Sequence, residues 1–289
     1  MKPWVIMRAR NDMPLVADTL AMLRRQSMPH RLAVFDNASV DGTREAAAAQ
    51  ADLIIDVPEG AYVPGRVLNL AMEATDGDTV AFLNSDCTPL DANWLARLLS
   101  GFDVSDPPRV AAVFGRQLPR PDCLPLFARD TENTFGDGRL QRNWKHCFSM
   151  ASSAIRRSVW RERNFNEAIQ YSEDIEWTWA VRQMGFEIRY VAASQVYHSH
   201  NYTLKQWYRR QLGEGRADAR IFDWPPWERS WPRYSLLPCV RQIMSDLKYC
   251  LRAGQAGAAC QSPLLRGAQM LGRRRGFAAG WAERRKGHP

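Results

Sequence analysis

Acidic side chains recur in this sequence directly after short apolar runs, a position poorly suited to packing and well suited to chemistry. Asp36 and Asp41 follow the run 31–35, Asn84 and Asp86 follow 80–83, and Glu173 with Asp174 head an amphipathic stretch. His198 and His200 close an extended segment, 195–200, with both rings on one side because strand side chains alternate. Carboxylates that converge with an imidazole suit a hard or borderline divalent cation, Mg²⁺ or Mn²⁺, holding a diphosphate. Arg8, Arg10 and Arg66 add guanidinium forks, whose geometry matches phosphate oxygens. Each group also has a plainer reading. Asp86 fits an Asx-turn, Asp41-Gly42 an ordinary turn, Glu173-Asp174 the acidic start of a helix, and the histidines hydrogen-bonded strand residues. Recurrence at successive strand ends is what argues for a site. Cys87, beside Asp86, reads as a small apolar filler.

The elements that must position these residues alternate. Strands are expected at 4–7, 31–35, 53–57, 80–83, 110–114, 148–155 and 187–191, and the helix faces 15–23, 44–50, 66–74, 91–102 and 175–184 fall between most of them. That rhythm predicts an α/β fold, a mostly parallel sheet with helices on both faces. Residues 115–147 break it with prolines and mixed charge, and read as an irregular insertion. From Trp224 the text changes to WPPWERSWPRYSLLP, a helix over 239–251 and a tail rich in Gly, Ala and Arg. Two regions result, 1–215 with the sheet and 216–289 as a helical, basic appendage that packs or mediates self-association.

With 289 residues, 45% hydrophobic and 24% charged, the chain has ordinary globular composition. Its net charge of +8 is concentrated after Ser262, where seven bases face one acid, Glu283, and the rest is close to neutral. Nucleic-acid binding is therefore not expected, and the tail suits an anionic membrane surface or simple solvation. Six scattered cysteines without a C-x-x-C pair suggest reduced thiols. No apolar run approaches about 18 residues, and the N-terminus meets charge too early for a signal peptide. The expected location is cytoplasmic, peripheral on the inner face of the plasma membrane if the tail binds lipid.

Several motifs resemble those of the inverting family 2 glycosyltransferases of GT-A fold. FDNASVDGT (35–43) resembles the nucleotide-binding signature, with Asn37 and Ala38 departing from its Asp and Gly. NSD (84–86) resembles the D-x-D metal motif with Asn in the first place, and SED (172–174) resembles the E-D catalytic motif. PGRVLNLA (64–71), FGRQLP (114–119) and YHSHNYT (197–203) are similar to bacterial rhamnosyltransferase-like members of surface-polysaccharide assembly. The resemblance covers about 4–215. It implies a Rossmann-like GT-A domain that takes one sugar from a nucleotide-diphosphate donor, with dTDP-rhamnose one such donor, and passes it to a hydroxyl of a glycan or lipid-linked glycan. The processive Q-x-x-R-W motif is not matched cleanly by QWYRRQ (206–211).

The same resemblance implies roles. Asp36 would bind the donor's base, Arg66 its diphosphate, and Arg8, Arg10, Asn69, Ser85 and Asp86 complete the donor set. Asp86 would ligate Mg²⁺ or Mn²⁺ with His198, with His200 in reserve, and Asn84 offers an amide oxygen whose lost charge loosens the ion. Asp174 would be the general base, with Glu173 beside it, and 115–147 would face the acceptor. Two other readings stand against this one. A sugar-1-phosphate nucleotidyltransferase would want a Gly-rich loop after the first strand, which Arg8-Ala9-Arg10-Asn11 lacks. A non-catalytic scaffold at the membrane would explain Asn84 but not the retained Asp174 and His pair.

Overall fold

Side chains of the opening run divide between two layers: Trp4 and Ile6 enter one buried cluster, Val5 and Met7 another. A strand buried on both faces requires this alternation of apolar contacts. In a computed structural model describing residues 2–102, 109–141, 147–222, 224 and 232–286, this run is β1 (Trp4–Ala9), near the middle of an eight-stranded sheet. The others are β2 (Arg31–Asp36), β3 (Leu53–Asp56), β4 (Thr79–Asn84), β5 (Thr88–Pro89), β6 (Val110–Leu118), β7 (Ser152–Arg156) and β8 (Glu187–Tyr197). Their order across the sheet is β3-β2-β1-β4-β7-β6-β8-β5.

Helices cover both faces, as the alternation of elements predicts. α3 (Pro64–Glu73), α6 (Arg157–Glu162) and α7 (Glu173–Gln183) supply Val67, Leu68, Met72, Trp160, Trp177 and Val181 to the Trp4 side. α1 (Leu15–Arg24), α2 (Thr43–Ala48) and α4 (Trp94–Leu99) supply Val16, Leu20, Ala47, Trp94 and Leu98 to the other.

Strand direction, more than strand order, decides where the loops gather. β1, β2, β3 and β4 run parallel, β7 runs antiparallel to β4 and to β6, and β6 is parallel to β8. The carboxyl ends of β1, β2, β3, β4, β6 and β8 therefore share one edge of the sheet, together with the start of β7.

Two sequence expectations change. The segments 187–191 and 195–200 are joined in one strand as far as Tyr197, with 198–200 beyond its end, and its pairing with β6 slips from Gly115↔Val191 to Arg116↔Gln195. Ser194 at this irregularity packs its carbonyl on Gly115, where an added Cβ would lie 2.7 Å from that oxygen. The insertion also starts later than 115, because β6 runs to Leu118 and α5 (Pro125–Thr134) comes next; residues 142–146 lie outside the described set.

By their contacts the residues fall into two units, one of 1–120, 132–168 and 173–198, the other of 121–131, 169–172 and 199–289. This places α8 (Leu204–Ile221) with the C-terminal helices rather than with the sheet, earlier than the 215/216 boundary read from the sequence. The second unit also holds α9 (Leu237–Arg252), α10 (Ala256–Ala259) and α11 (Ser262–Arg285). The segment read as a tail is thus mostly helix. Gly272, Gly276 and Gly280 recur every fourth residue on α11, and a Cβ at any of them would collide with α8 carbonyls of Tyr208, Leu212 or Arg216. These glycines look like helix breakers by propensity, but here they allow two backbones to approach. Leu126, Phe127, Trp207, Cys250 and Leu265 form a small core beside an apolar cavity of about 330 Å³. Of the aromatic cluster 224–231 only Trp224 is described, stacked on Phe222 at 4.3 Å. Among the described residues no helix is long and apolar enough to cross a membrane.

Candidate functional site

The loops leaving β1 and β2 are laced together by their own side chains. Asn11 N–H donates to Ser39 Oγ (3.0 Å), Val40 N–H to Asn11 Oδ1 (2.8 Å) and Asp12 N–H to Thr43 Oγ1 (2.8 Å). Asp41 accepts from the N–H groups of Thr43 and Met13, both at 3.0 Å. The Thr43 contacts, and that from Met13, hold its carboxyl below the usual range. Ala38, where the resembled signature has Gly, takes φ 52° in the left-handed region. Asp36, 1% exposed, accepts from Ser39 N–H through Oδ2 (2.9 Å). Its Oδ1 is buried with no partner among the described residues. A buried acceptor in that state is unfavourable until a donor reaches it.

At the end of β4, Arg8 gathers three segments. Its Nη2 donates to Asn84 Oδ1 (3.1 Å) and its Nη1 to Glu173 Oε1 (3.3 Å) and Tyr62 Oη (3.4 Å). Burial alone would lower the guanidinium, but Tyr62, Glu173 and Asp174 hold it above its ordinary value. Ser85 Oγ lies against the Arg8 carbonyl (2.9 Å) and the Asp12 carboxylate, tying β1 to β4. Burial raises Asp12, and Asp86 adds to that rise.

Asp174 opens α7. Its Oδ2 accepts from Met150 N–H (3.2 Å), just before β7, and its Oδ1 from its neighbour Ile175 N–H (2.8 Å). Burial, then Glu173, push its carboxyl up to about 7, against the two N–H contacts and Arg8. A carboxylate in this state can accept a proton near neutral pH.

Asp86 and His198 meet from β4 and β8, with His198 Nε2 3.5 Å from Asp86 Oδ2. Asp86, Cys87 and His198 place donor atoms within 4.8 Å of one another. His198 Nδ1 lies 2.7 Å from Gln117 Oε1, and Gln117 Nε2 donates to Ser149 Oγ at 2.8 Å. An amide oxygen only accepts, so Nδ1 donates to Gln117 and Nε2 is the ring atom left facing Asp86, the atom a neutral ring would offer to a cation. This donor set fits Mg²⁺ or Mn²⁺, ions that take one or two protein ligands and complete their shell with water and phosphate oxygens. Cys87 suits such an ion less, because a soft sulfur is a poor ligand for Mg²⁺ or Mn²⁺; burial, then Asp86, also raise its thiol well above the ordinary value.

The other expected residues are distributed around these two centres. Asn84 lies beside the Asp86–His198 pair in sequence, with its amide oxygen engaged by Arg8. His200 is outside the group, exposed, with its ring 5.5 Å from Tyr202. Arg10 is half exposed and 3.9 Å from Glu59. Arg66 stands in the first turn of α3, 3.3 Å from Glu167. Asn69 is committed to packing: its amide bonds Trp160 Nε1, the Phe165 backbone and Glu167. Gln117, Tyr62 and Met150 are members that sequence reasoning missed. Gln117 lies inside FGRQLP, so a motif contained it, but no charge marked it.

Residues 4–163 match the family described as glycosyl transferase family 2. The chain is 31% identical over 206 residues to the O-antigen chain rhamnosyltransferase WbaN of Salmonella anatum, over 68% of this chain and 64% of that protein. It is 30% identical over 228 residues to the O-antigen chain rhamnosyltransferase RfbN of Salmonella typhimurium, over 74% of this chain and 72% of that protein. The mannosyltransferase PcManGT of Pyrobaculum calidifontis, solved with GDP-Man and Mn²⁺, superposes with a TM-score of 0.64. That alignment is 20% identical and covers 98% of this chain and 88% of the other. The likeness is one of fold, and the α/β architecture is GT-A-like.

Proposed function

This chain belongs to glycosyltransferase family 2, and on that footing we propose that it transfers a single sugar from a nucleotide-diphosphate donor to a hydroxyl of a glycan or lipid-linked glycan, with inversion. The observation that carries the reading is one shared sheet edge with two carboxylate sites in different surroundings. At one, Asp86 faces the imidazole of His198 at 3.5 Å. At the other, Asp174 is raised to about 7 by burial and Glu173. The named relatives, both O-antigen rhamnosyltransferases, favour dTDP-rhamnose as donor and surface polysaccharide as product.

In this reading Asp36 Oδ1 accepts a hydrogen bond from the donor's base, and the first turn of α3 with Arg66 lies toward the diphosphate. Asp86 and His198 hold a divalent cation, which when bound neutralises charge on the leaving diphosphate. Arg8 fixes Asn84 and Glu173 relative to each other and keeps a positive charge beside Asp174. Asp174 takes the proton from the acceptor hydroxyl as that oxygen attacks the anomeric carbon from the face opposite the nucleotide, a single displacement that inverts the centre. A positioned base of this kind contributes about 10²–10⁴-fold.

Calorimetric titration of UDP, GDP and dTDP, with Mn²⁺ and then with chelator, tests the donor half. Metal-dependent binding of one nucleotide is expected, and dTDP would support rhamnose. Silence from all three would refute a donor site. Asp174→Asn tests the other half: it keeps the nucleotide affinity and loses transfer by at least about 10²-fold. Unchanged turnover would remove Asp174 from the reaction.

A further inference from the structure

Among the described residues, helix α9 leaves one face uncovered. Leu237, Val240, Met244, Leu247 and Leu251 are between 40% and 58% exposed, and Leu236 just before them is 40% exposed. The five succeed one another at three and four residues, so at 3.6 residues per turn they fall within about 80° of arc. Arg241, Lys248 and Arg252 are exposed along one edge of this stripe. The helix's single acid, Asp246, points the opposite way. It is fully buried and bonds Arg266 and Arg129, both at 2.8 Å. The outward face thus carries bases and no acid.

An apolar stripe at this spacing fits either a second helix or the boundary between headgroups and acyl chains. Paired helices place complementary charges beside the seam. Here those positions are Arg241 and Lys248 on one side, Ile243 and Cys250 on the other. A second copy of α9 would set base against base when antiparallel and find no acid when parallel. An anionic bilayer answers both halves of the face, taking the apolar side chains into its boundary and the bases onto lipid phosphates. Several bases of α11, which the sequence offered for a membrane surface or for simple solvation, are engaged inside their own unit. Arg266 bonds Asp246 and Asp130, Arg273 bonds Asp218, Arg275 bonds Tyr208 Oη, and Arg284 donates to backbone carbonyls.

From this face we infer that α9 is an interfacial helix that docks the protein on an anionic lipid surface, independently of the sugar-transfer reaction. Leu237, Val240, Met244, Leu247 and Leu251 enter the bilayer boundary, and Arg241, Lys248 and Arg252 select anionic headgroups.

The test is co-sedimentation of the full chain with phosphatidylcholine vesicles, with and without phosphatidylglycerol. Three bases near the surface lead to binding on the order of 100-fold tighter to the anionic vesicles, weakening with salt. Met244→Glu with Leu251→Glu abolishes binding to both kinds of vesicle and leaves the melting curve in place, since both side chains are exposed. Arg241→Gln with Lys248→Gln, which alters no apolar residue, removes most of the preference for phosphatidylglycerol. Binding by the Glu pair equal to wild type would overturn the inference, as would wild-type protein that ignores phosphatidylglycerol. So would a wild-type dimer in sedimentation velocity that binds no vesicle and is split by the Glu pair, since the stripe would then belong to a second copy.

Discussion

Asp174 occupies a place where its charge is costly and still stabilised, which is the condition for a proton acceptor near neutrality. Burial and Glu173 raise it to about 7, while Met150 and Ile175 N–H groups bond its ionised oxygens. Only the ionised form accepts a proton, so transfer should rise tenfold per pH unit below about 7 and level off above it. A kcat/KM profile with no ionisation in that region would assign the base elsewhere. Stability runs in the other direction. The folded carboxyl titrates above its unfolded value of about 4, so its contribution is complete below that pH and is lost as pH rises through about 7. Gln117 acts on the neighbouring group by orienting His198. Gln117→Leu should weaken Mn²⁺ binding about 10–100-fold in calorimetry, without requiring turnover. Unaltered affinity would mean that the ring needs no such support. That Asp36, Asp86, Asp174 and His198 gather near strand ends was legible in the sequence, because acids and imidazoles there have few packing uses. Gln117 was not, since a neutral amide inside a strand looks like any edge residue. Asn69 shows the converse: its motif made it a candidate, and its amide holds the 160–167 segment.

The pairing of β5 with β8, Thr88 opposite Tyr197, sets His198 beside Asp86, and the irregularity between β6 and β8 fixes the register of that end of β8. Three residues, Ala192, Ala193 and Ser194, are passed over in the pairing, and Gly115 admits the Ser194 carbonyl that results. Gly115→Val should cost about 2 kcal/mol of stability from overpacking and reduce Mn²⁺ affinity in the protein that still folds. A melting temperature and an affinity both equal to wild type would show that β8 tolerates regular pairing. Periodicity made most elements readable, and even this irregularity showed as two segments separated by 192–194. What periodicity could not supply was partnership. The glycines of α11 read as breakers until α8 is placed against them, and no single-chain propensity contains that information.

At the scale of the molecule, the candidate site is a property of strand direction. Segments from Arg8 to His198 converge because six strands end on one edge and β7 begins there. The alternation of strands and helices implied that edge before any contact was known, whereas the division into units depends on which helices pack together. Strand order also sets a timetable. β3, β2, β1 and β4 are mutual neighbours drawn from the first 84 residues, while β8 is inserted between β6 and β5 and is the last strand in the chain. Sequence-near pairings close at the smaller entropic cost, so the first four strands should acquire structure early and β6 with β8 late. Pulse-labelled hydrogen exchange should find β1–β4 amides protected before those of β6 and β8, and simultaneous protection would refute that order. Asp86 belongs to the early half and His198 to the late one. A half-made or half-refolded chain therefore holds the acid without the imidazole, and under the proposed role of this pair, uptake of Mn²⁺ becomes a clock that reads the completion of the sheet.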